Sequence, residues 1–117
     1  MTSADLLVVC LCAEWCHVCR EYRPGFLDLR SRYPQARFRW LDIEDEADAI
    51  GDIDVDDFPS LLVQRGRDVL FLGAMLPQHG VLTRTLDALF ALSDEEIAAY
   101  VAATAERRSW QAMALHD

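Results

Sequence analysis

Four cysteines crowd into "CLCAEWCHVC", residues 10 to 19, and they are all the cysteines of the chain. The residue type admits three chemistries. Cys16 and Cys19 have the C-x-x-C spacing of a dithiol that can open and close as a disulfide. That spacing also serves zinc, and C-x-C-x3-C-x2-C as a whole has the donors for zinc or an iron–sulfur cluster. Free cysteine is also commonly a small buried apolar residue. Cys10 and Cys12, two apart, share one face of any strand they occupy and read as buried passengers. A regular strand would also carry Cys10 away from a helix tip, which counts against a four-sulfur site.

The elements that must position these thiols follow from the apolar pattern. "DLLVVCLC" is a continuous apolar run, as suits a strand buried on both faces. From Trp15 to about Arg32, Val18, Tyr22, Phe26 and Leu29 recur every three or four residues, which predicts an amphipathic helix starting at the cysteines and kinked at Pro24. The pair Cys16/Cys19 therefore lies where a buried strand turns into a helix N-terminus. Unpaired amides and the helix dipole favour a thiolate on the first cysteine there, and the second falls one turn in as a shielded resolving thiol.

Beyond the Tyr33-Pro34 break, "ARFRWLDIE" alternates as a second strand. "DEADAIGDIDVDD" reads as a short helix and a turn, and "PSLLVQRGRDVLFLGA" as a hairpin around Arg65-Gly66-Arg67. "PQHGVLTRTLDALFAL" carries a helical stripe from Val81 to Phe90. Ser93 and Glu96 have capping-box spacing, which predicts one more helix from about Asp94 to Arg108. The order predicts an α/β fold: a central mixed sheet of about four strands flanked by helices, with an additional C-terminal helix. Residues 1–92 form the main domain, and 93–117 a helical extension on the same domain or on a partner subunit.

The formal net charge is −9, which disfavours nucleic acid and anionic membranes as partners. All eleven basic residues are arginine, as GC-rich bacterial codon usage would produce. The run from Leu6 to Ala13 follows Asp5 rather than a basic segment, and falls short of the about 20 residues a membrane span needs. The reading is a cytoplasmic protein whose clustered cysteines point to catalysis or metal more than to structural bridges. "DIDVDD" lacks the glycine and distal glutamate of a calcium loop and reads as a solvated acidic face. His79 and His116 have no ligand-spaced partners and read as surface residues.

"AEWCHVC" resembles the active-site stretch of the thioredoxin family. Pro24, five residues after Cys19, matches the family's helix proline, Phe58-Pro59-Ser60 its X-Pro-Thr segment, and "LGAMLPQHGVLTRTLDAL" with Gly73 its final strand and helix. The resemblance covers roughly residues 5 to 91. It implies a thioredoxin-like fold, a cis peptide before Pro59, and thiol–disulfide exchange in which Cys16 attacks and Cys19 resolves. His17 and Trp15 would tune the pair, and Trp15, Phe58, Pro59 and Gly73 would form the docking surface. No metal and no cofactor is implied. Partners would be protein disulfide substrates and a reductase or low-molecular-weight thiol.

The chain departs from the family pattern in four places. The family's first strand and helix are missing, which leaves "ARFRWLDIE" as a sheet edge where Arg37 and Arg39 oppose strand addition. The C-terminal helix, with Trp110 and Met113, would then cover the gap or support a homodimer. Cys10 stands for the family's buried aspartate and Trp40 for its paired lysine, a matched loss the fold tolerates. Cys12 stands for a tryptophan near the active-site end, and so is the less passive of the two strand cysteines. His17 and Val18 replace glycine and proline. A histidinium at His17 would favour the Cys16 thiolate, while nine carboxylates from Asp42 to Asp57 would oppose it. These departures keep a second reading open: an adaptor or assembly chaperone that binds polypeptides without redox turnover.

Overall fold

The computed structural model describes residues 6–51, 53, 55 and 58–115. The elements run β1 (Leu6–Cys12), α1 (His17–Arg32), β2 (Ala36–Asp42), α2 (Ala47–Ile50), β3 (Ser60–Arg65), β4 (Asp68–Ala74), α3 (His79–Phe90), α4 (Asp94–Ala102) and α5 (Ala105–Trp110), then a 3-10 turn at Gln111–Met113. The four strands form one mixed sheet in the order β2-β1-β3-β4. β1 pairs parallel with β2 and antiparallel with β3. From Leu7 to Cys12 every residue of β1 is buried, because both faces of this central strand are covered. The β3–β4 turn has Gly66 at φ +60° and no positive φ at Arg67, the pattern of a II′ hairpin that needs glycine first.

α1 and α3 lie on one face of the sheet. Cys19, Tyr22 and Phe26 of α1 and Leu82, Leu86 and Leu89 of α3 pack there with Val8, Cys10 and Cys12 of β1. Phe26 is at the centre, edge-on to Phe38 at 5.5 Å and to Trp40 at 5.9 Å. α1 runs unbroken through Pro24. His79, expected at the surface, is instead half-buried: its ring stacks on Tyr22 with centroids 4.6 Å apart, and Nε2 lies 3.1 Å from the Tyr22 carbonyl. His116 and the acidic residues 52, 54, 56 and 57 lie outside the described residues.

The opposite face is covered by the C-terminal segment. Leu7, Val9, Leu11, Leu41, Leu62 and Val69 form its core, closed by Leu115 with Trp110 and Met113 alongside. The expected single helix from Asp94 to Arg108 is two helices. Ser93 opens α4 with a full capping box, and Thr104 opens α5 by accepting the Arg107 amide at 3.0 Å. Threonine competes for backbone groups in a helix interior and is favoured at an N-cap, so the chain re-nucleates at this point. The break lets the segment turn around β4. A β-bulge between Val63 and Gln64 in the β3–β4 register helps, placing Leu70 on the α1 face and Val69 on the tail face.

Side chains of the segment also occupy the open edge of β4. Gln111 accepts from the Val69 amide at 2.8 Å and donates to the Val69 carbonyl at 2.9 Å, completing both groups as a neighbouring strand would. The Tyr100 hydroxyl donates to the Leu70 carbonyl at 2.8 Å. Gln64, buried in β3, donates to the Leu115 carbonyl at 2.7 Å and accepts from its amide at 2.9 Å.

Candidate active site

The loop from Ala13 to Cys16 joins the C-terminal end of β1 to α1. Asp42 at the end of β2 fixes it: one carboxylate oxygen accepts the Glu14 amide at 2.7 Å, and the other accepts the Glu44 amide at 2.8 Å and the Asp45 amide at 3.2 Å. These backbone donors, Glu44 foremost, hold the Asp42 carboxyl below its ordinary range despite some desolvation. The Cys16 amide donates to the Ala13 carbonyl at 3.0 Å, and Arg20 donates to the Glu14 carbonyl at 2.9 Å. The loop is thus tied to both its neighbours before any cysteine chemistry is considered.

Cys16 is the N-cap of α1, half-buried, and its thiol is free. Cys19, one turn along, is fully buried and bonded to Cys12 of β1, with Cα atoms 5.9 Å apart. Sequence reasoning placed Cys12 among the passengers and paired Cys19 with Cys16; the structure gives Cys19 to Cys12. The physical reason lies in register. Cys12 is the last residue of β1 and points to the α1 face, where it meets the inward side of the first helical turn. What the sequence offered was only that Cys12 lies nearer the loop than Cys10, which does not by itself pair it with Cys19. Cys10 is fully buried one strand pair further in, its sulfur 3.6 Å from that of Cys12, and burial pushes its thiol far above the ordinary range.

Two large apolar side chains next to Cys16 stand open to solvent. Trp15 is 64% exposed and Val18 40% exposed. The Trp15 ring meets Phe58 edge-on at 5.5 Å, and its indole N–H donates to Glu44 at 2.8 Å, a partner the sequence did not indicate. The Phe58–Pro59 peptide bond is cis, and the Pro59 carbonyl accepts the Met75 amide at 3.1 Å. His17 is exposed and its Nε2 lies against the Glu21 carboxylate. Gly73 pairs with Leu61 across the hairpin and lines a cavity of about 270 Å³ with Leu11, Ser60, Trp110 and Met113, on the face closed by the tail. Glu14, Asp42 and Asp45 bring carboxylate oxygens within 4.8 Å of one another beside the loop.

A mixed sheet whose central strand delivers a C-x-x-C pair to a helix N-terminus, with a cis-proline segment alongside, defines the thioredoxin-like class. The family model described as Thioredoxin matches residues 1–81, well over half of the chain, which therefore belongs to the thioredoxin family. It is similar to a putative thioredoxin H10 of Arabidopsis thaliana, 37% identical over 57 residues, which are 49% of this chain and 37% of that protein. A thioredoxin H-type of Fagopyrum esculentum is 29% identical over 68 residues, 57% of this chain and 59% of that one. The chain thus spans less than two thirds of the length of each of these two curated relatives.

Among solved structures, thioredoxin F from spinach chloroplast superposes with a TM-score of 0.67 at 17% identity, covering 76% of this chain and 74% of that one. The germline-specific thioredoxin Deadhead of Drosophila melanogaster gives 0.65 at 22% identity, covering 74% and 82%. At such identities these likenesses speak for the fold. What family, fold and site establish together is a thioredoxin-family domain with a cysteine pair that forms a disulfide.

Proposed function

We propose that the chain is a thiol–disulfide oxidoreductase acting on protein disulfides. The observation that carries this reading is the free thiol of Cys16, half-exposed at the N-cap of α1, with disulfide-forming Cys19 one turn behind it. Cys16 attacks a substrate disulfide, one substrate sulfur leaves as a thiol, and a mixed disulfide remains. With the Cys12–Cys19 bond first opened by the reductant, which leaves both as thiols, Cys19 then attacks the Cys16 sulfur, releases the second substrate thiol and leaves a Cys16–Cys19 bond. A reductase or low-molecular-weight thiol returns the two electrons.

Trp15 and Val18, both exposed, and Phe58 against Trp15 supply an apolar rim for an extended substrate segment. Pro59 and Gly73 belong to the same docking role as the family resemblance assigns it. The converging Glu14, Asp42 and Asp45 carboxylates favour substrates with basic flanks. His17, held against Glu21 beside Cys16, takes the tuning role that the family resemblance assigns it.

The test is reduction of a protein disulfide such as that of insulin, with dithiothreitol as the terminal reductant. Wild-type protein is expected to accelerate it and Cys16→Ser to be inactive. An adaptor that binds polypeptides without turnover predicts no acceleration by either protein. Equal acceleration by both would remove Cys16 from the reaction.

A further inference from the structure

Cys19 has two possible partners. Cys16 is the N-cap of the same helix, three residues before it, and packs partly buried against the same core cluster. Cys12 faces it from the end of β1 and holds it in a disulfide. Cys19 thus sits between a surface thiol and a core thiol, and bonding to one frees the other. We propose that Cys12 is a third redox residue, which takes Cys19 from Cys16 after turnover and leaves Cys16 as a lone surface thiol that captures low-molecular-weight thiols as mixed disulfides. This inference rests on the oxidoreductase reading.

The exchange is neutral in electrons. The Cys12 sulfur attacks the Cys19 sulfur of the Cys16–Cys19 disulfide. The Cys12–Cys19 bond forms, the Cys16–Cys19 bond breaks, and the proton given up by Cys12 ends on the departing Cys16 sulfur. The protein remains oxidised by two electrons, but now in its core. A disulfide of a small thiol, such as glutathione disulfide, can then react with Cys16, giving a mixed disulfide and one released thiol. With Cys19 occupied, that adduct has no internal resolving thiol and persists.

Cys10 bounds the chain of sulfurs. It lies 3.6 Å from Cys12 but two residues further along β1 from the loop, while Cys19 meets Cys12 at the strand end; fully buried as Cys12 is, Cys10 faces the sulfur of Cys12 and not the helix turn that carries the exchange. The relay thus ends at Cys12, the last residue of β1, directly under the active-site loop.

Peptide mapping of the full chain, as wild type and as Cys12→Ala, tests this. Reduced protein is oxidised with glutathione disulfide and incubated, quenched in acid, and its free thiols are blocked with N-ethylmaleimide. Cleavage after Glu14 and Arg20 then separates residues 1–14 from 15–20. The expected result is a disulfide linking the two peptides through Cys12 and Cys19, with maleimide or glutathione on Cys16. In Cys12→Ala the bond should move inside peptide 15–20, with loss of labelling and of glutathione at Cys16. A wild-type bond confined to peptide 15–20, with Cys12 carrying maleimide after full incubation, overturns the third-residue role and leaves the dithiol exchanger standing. No intrachain bond in either protein overturns both.

Discussion

The two faces of the sheet are closed by different physics. On the α1 face, large side chains fill the space: Tyr22, Phe26 and Phe38 interlock with the leucines of α3. On the tail face, the end of α5, the 3-10 turn and the residues after it supply Trp110, Met113 and Leu115, and their position is fixed by two glutamines that complete main-chain groups. One face is held mainly by volume and the other by hydrogen bonds that align a modest amount of apolar surface. Damage should therefore spread differently: loss of volume on the first face unsettles the whole fold, whereas loss of an anchor on the second should free the tail while the sheet persists.

The largest expected effect tests the first half of that contrast. Phe26→Ala removes a fully buried ring that touches both Phe38 and Trp40, and should cost about 3 to 5 kcal/mol. Chemical denaturation should show one cooperative transition shifted to much lower denaturant. A shift of under about 1 kcal/mol would mean that the face is loosely packed.

Gln64→Ala tests the second half. It leaves the Leu115 amide and carbonyl without their partner in a buried setting, for an expected loss of about 2 to 3 kcal/mol. The distinguishing readout is local. Amide exchange at residues 111–115 should accelerate far more than in β1, and trypsin should gain access at Arg107 and Arg108. Uniform acceleration across the sheet would show that the two faces unfold as one unit.

Gly25→Ala sharpens the comparison through a change of sign. In a helix interior, alanine for glycine normally adds about 1 kcal/mol of stability. Here a Cβ would run into the His79 ring, which stacking on Tyr22 and the contact with the Tyr22 carbonyl hold in place. The expected outcome is a destabilisation of about 1 to 2 kcal/mol. Adding His79→Ala to this variant should restore part of it, so the double-mutant cycle should show a coupling between the two positions.

The same contrast explains what the sequence could reveal. The α1 face announces itself through period: Val18, Tyr22, Phe26 and Leu29 mark the helix, and the unbroken apolar run of β1 marks a central strand. The tail face has no period to read. Gln64 interrupts an apolar strand and Gln111 the apolar run "WQAMAL", yet both act through main-chain groups dozens of residues away, which spacing does not encode. Thr104 illustrates the limit: the helical stripe runs on past it, and only its capping of Arg107 shows that the helix restarts. At the site, the position of Cys16 and Cys19 at the helix start was legible. The Cys12–Cys19 bond was not, since it depends on how a strand end and a helix turn meet in three dimensions. The same holds for the bond from Trp15 to Glu44.

The smallest expected effect concerns pH and the loop that joins the faces at the active site. Asp42 accepts amides from Glu14, Glu44 and Asp45, and these hold its carboxyl below the ordinary range in the folded state. A carboxyl whose folded pKa lies below its unfolded value contributes stability that is present above the unfolded value, near 4. That contribution disappears as pH falls through the depressed folded value, when the protonated group ceases to be a strong acceptor. Asp42→Asn should therefore be modestly less stable than wild type at neutral pH, with the two curves converging in acid. The loop gives a second readout, because Glu44 is one of the amide donors and its side chain accepts from Trp15. Trp15 fluorescence should change in wild type over the same acid interval, ahead of global unfolding, and the change should be reduced in Asp42→Asn. Parallel stability curves at all pH values would show that Asp42 does not carry the charge-dependent anchoring of this loop.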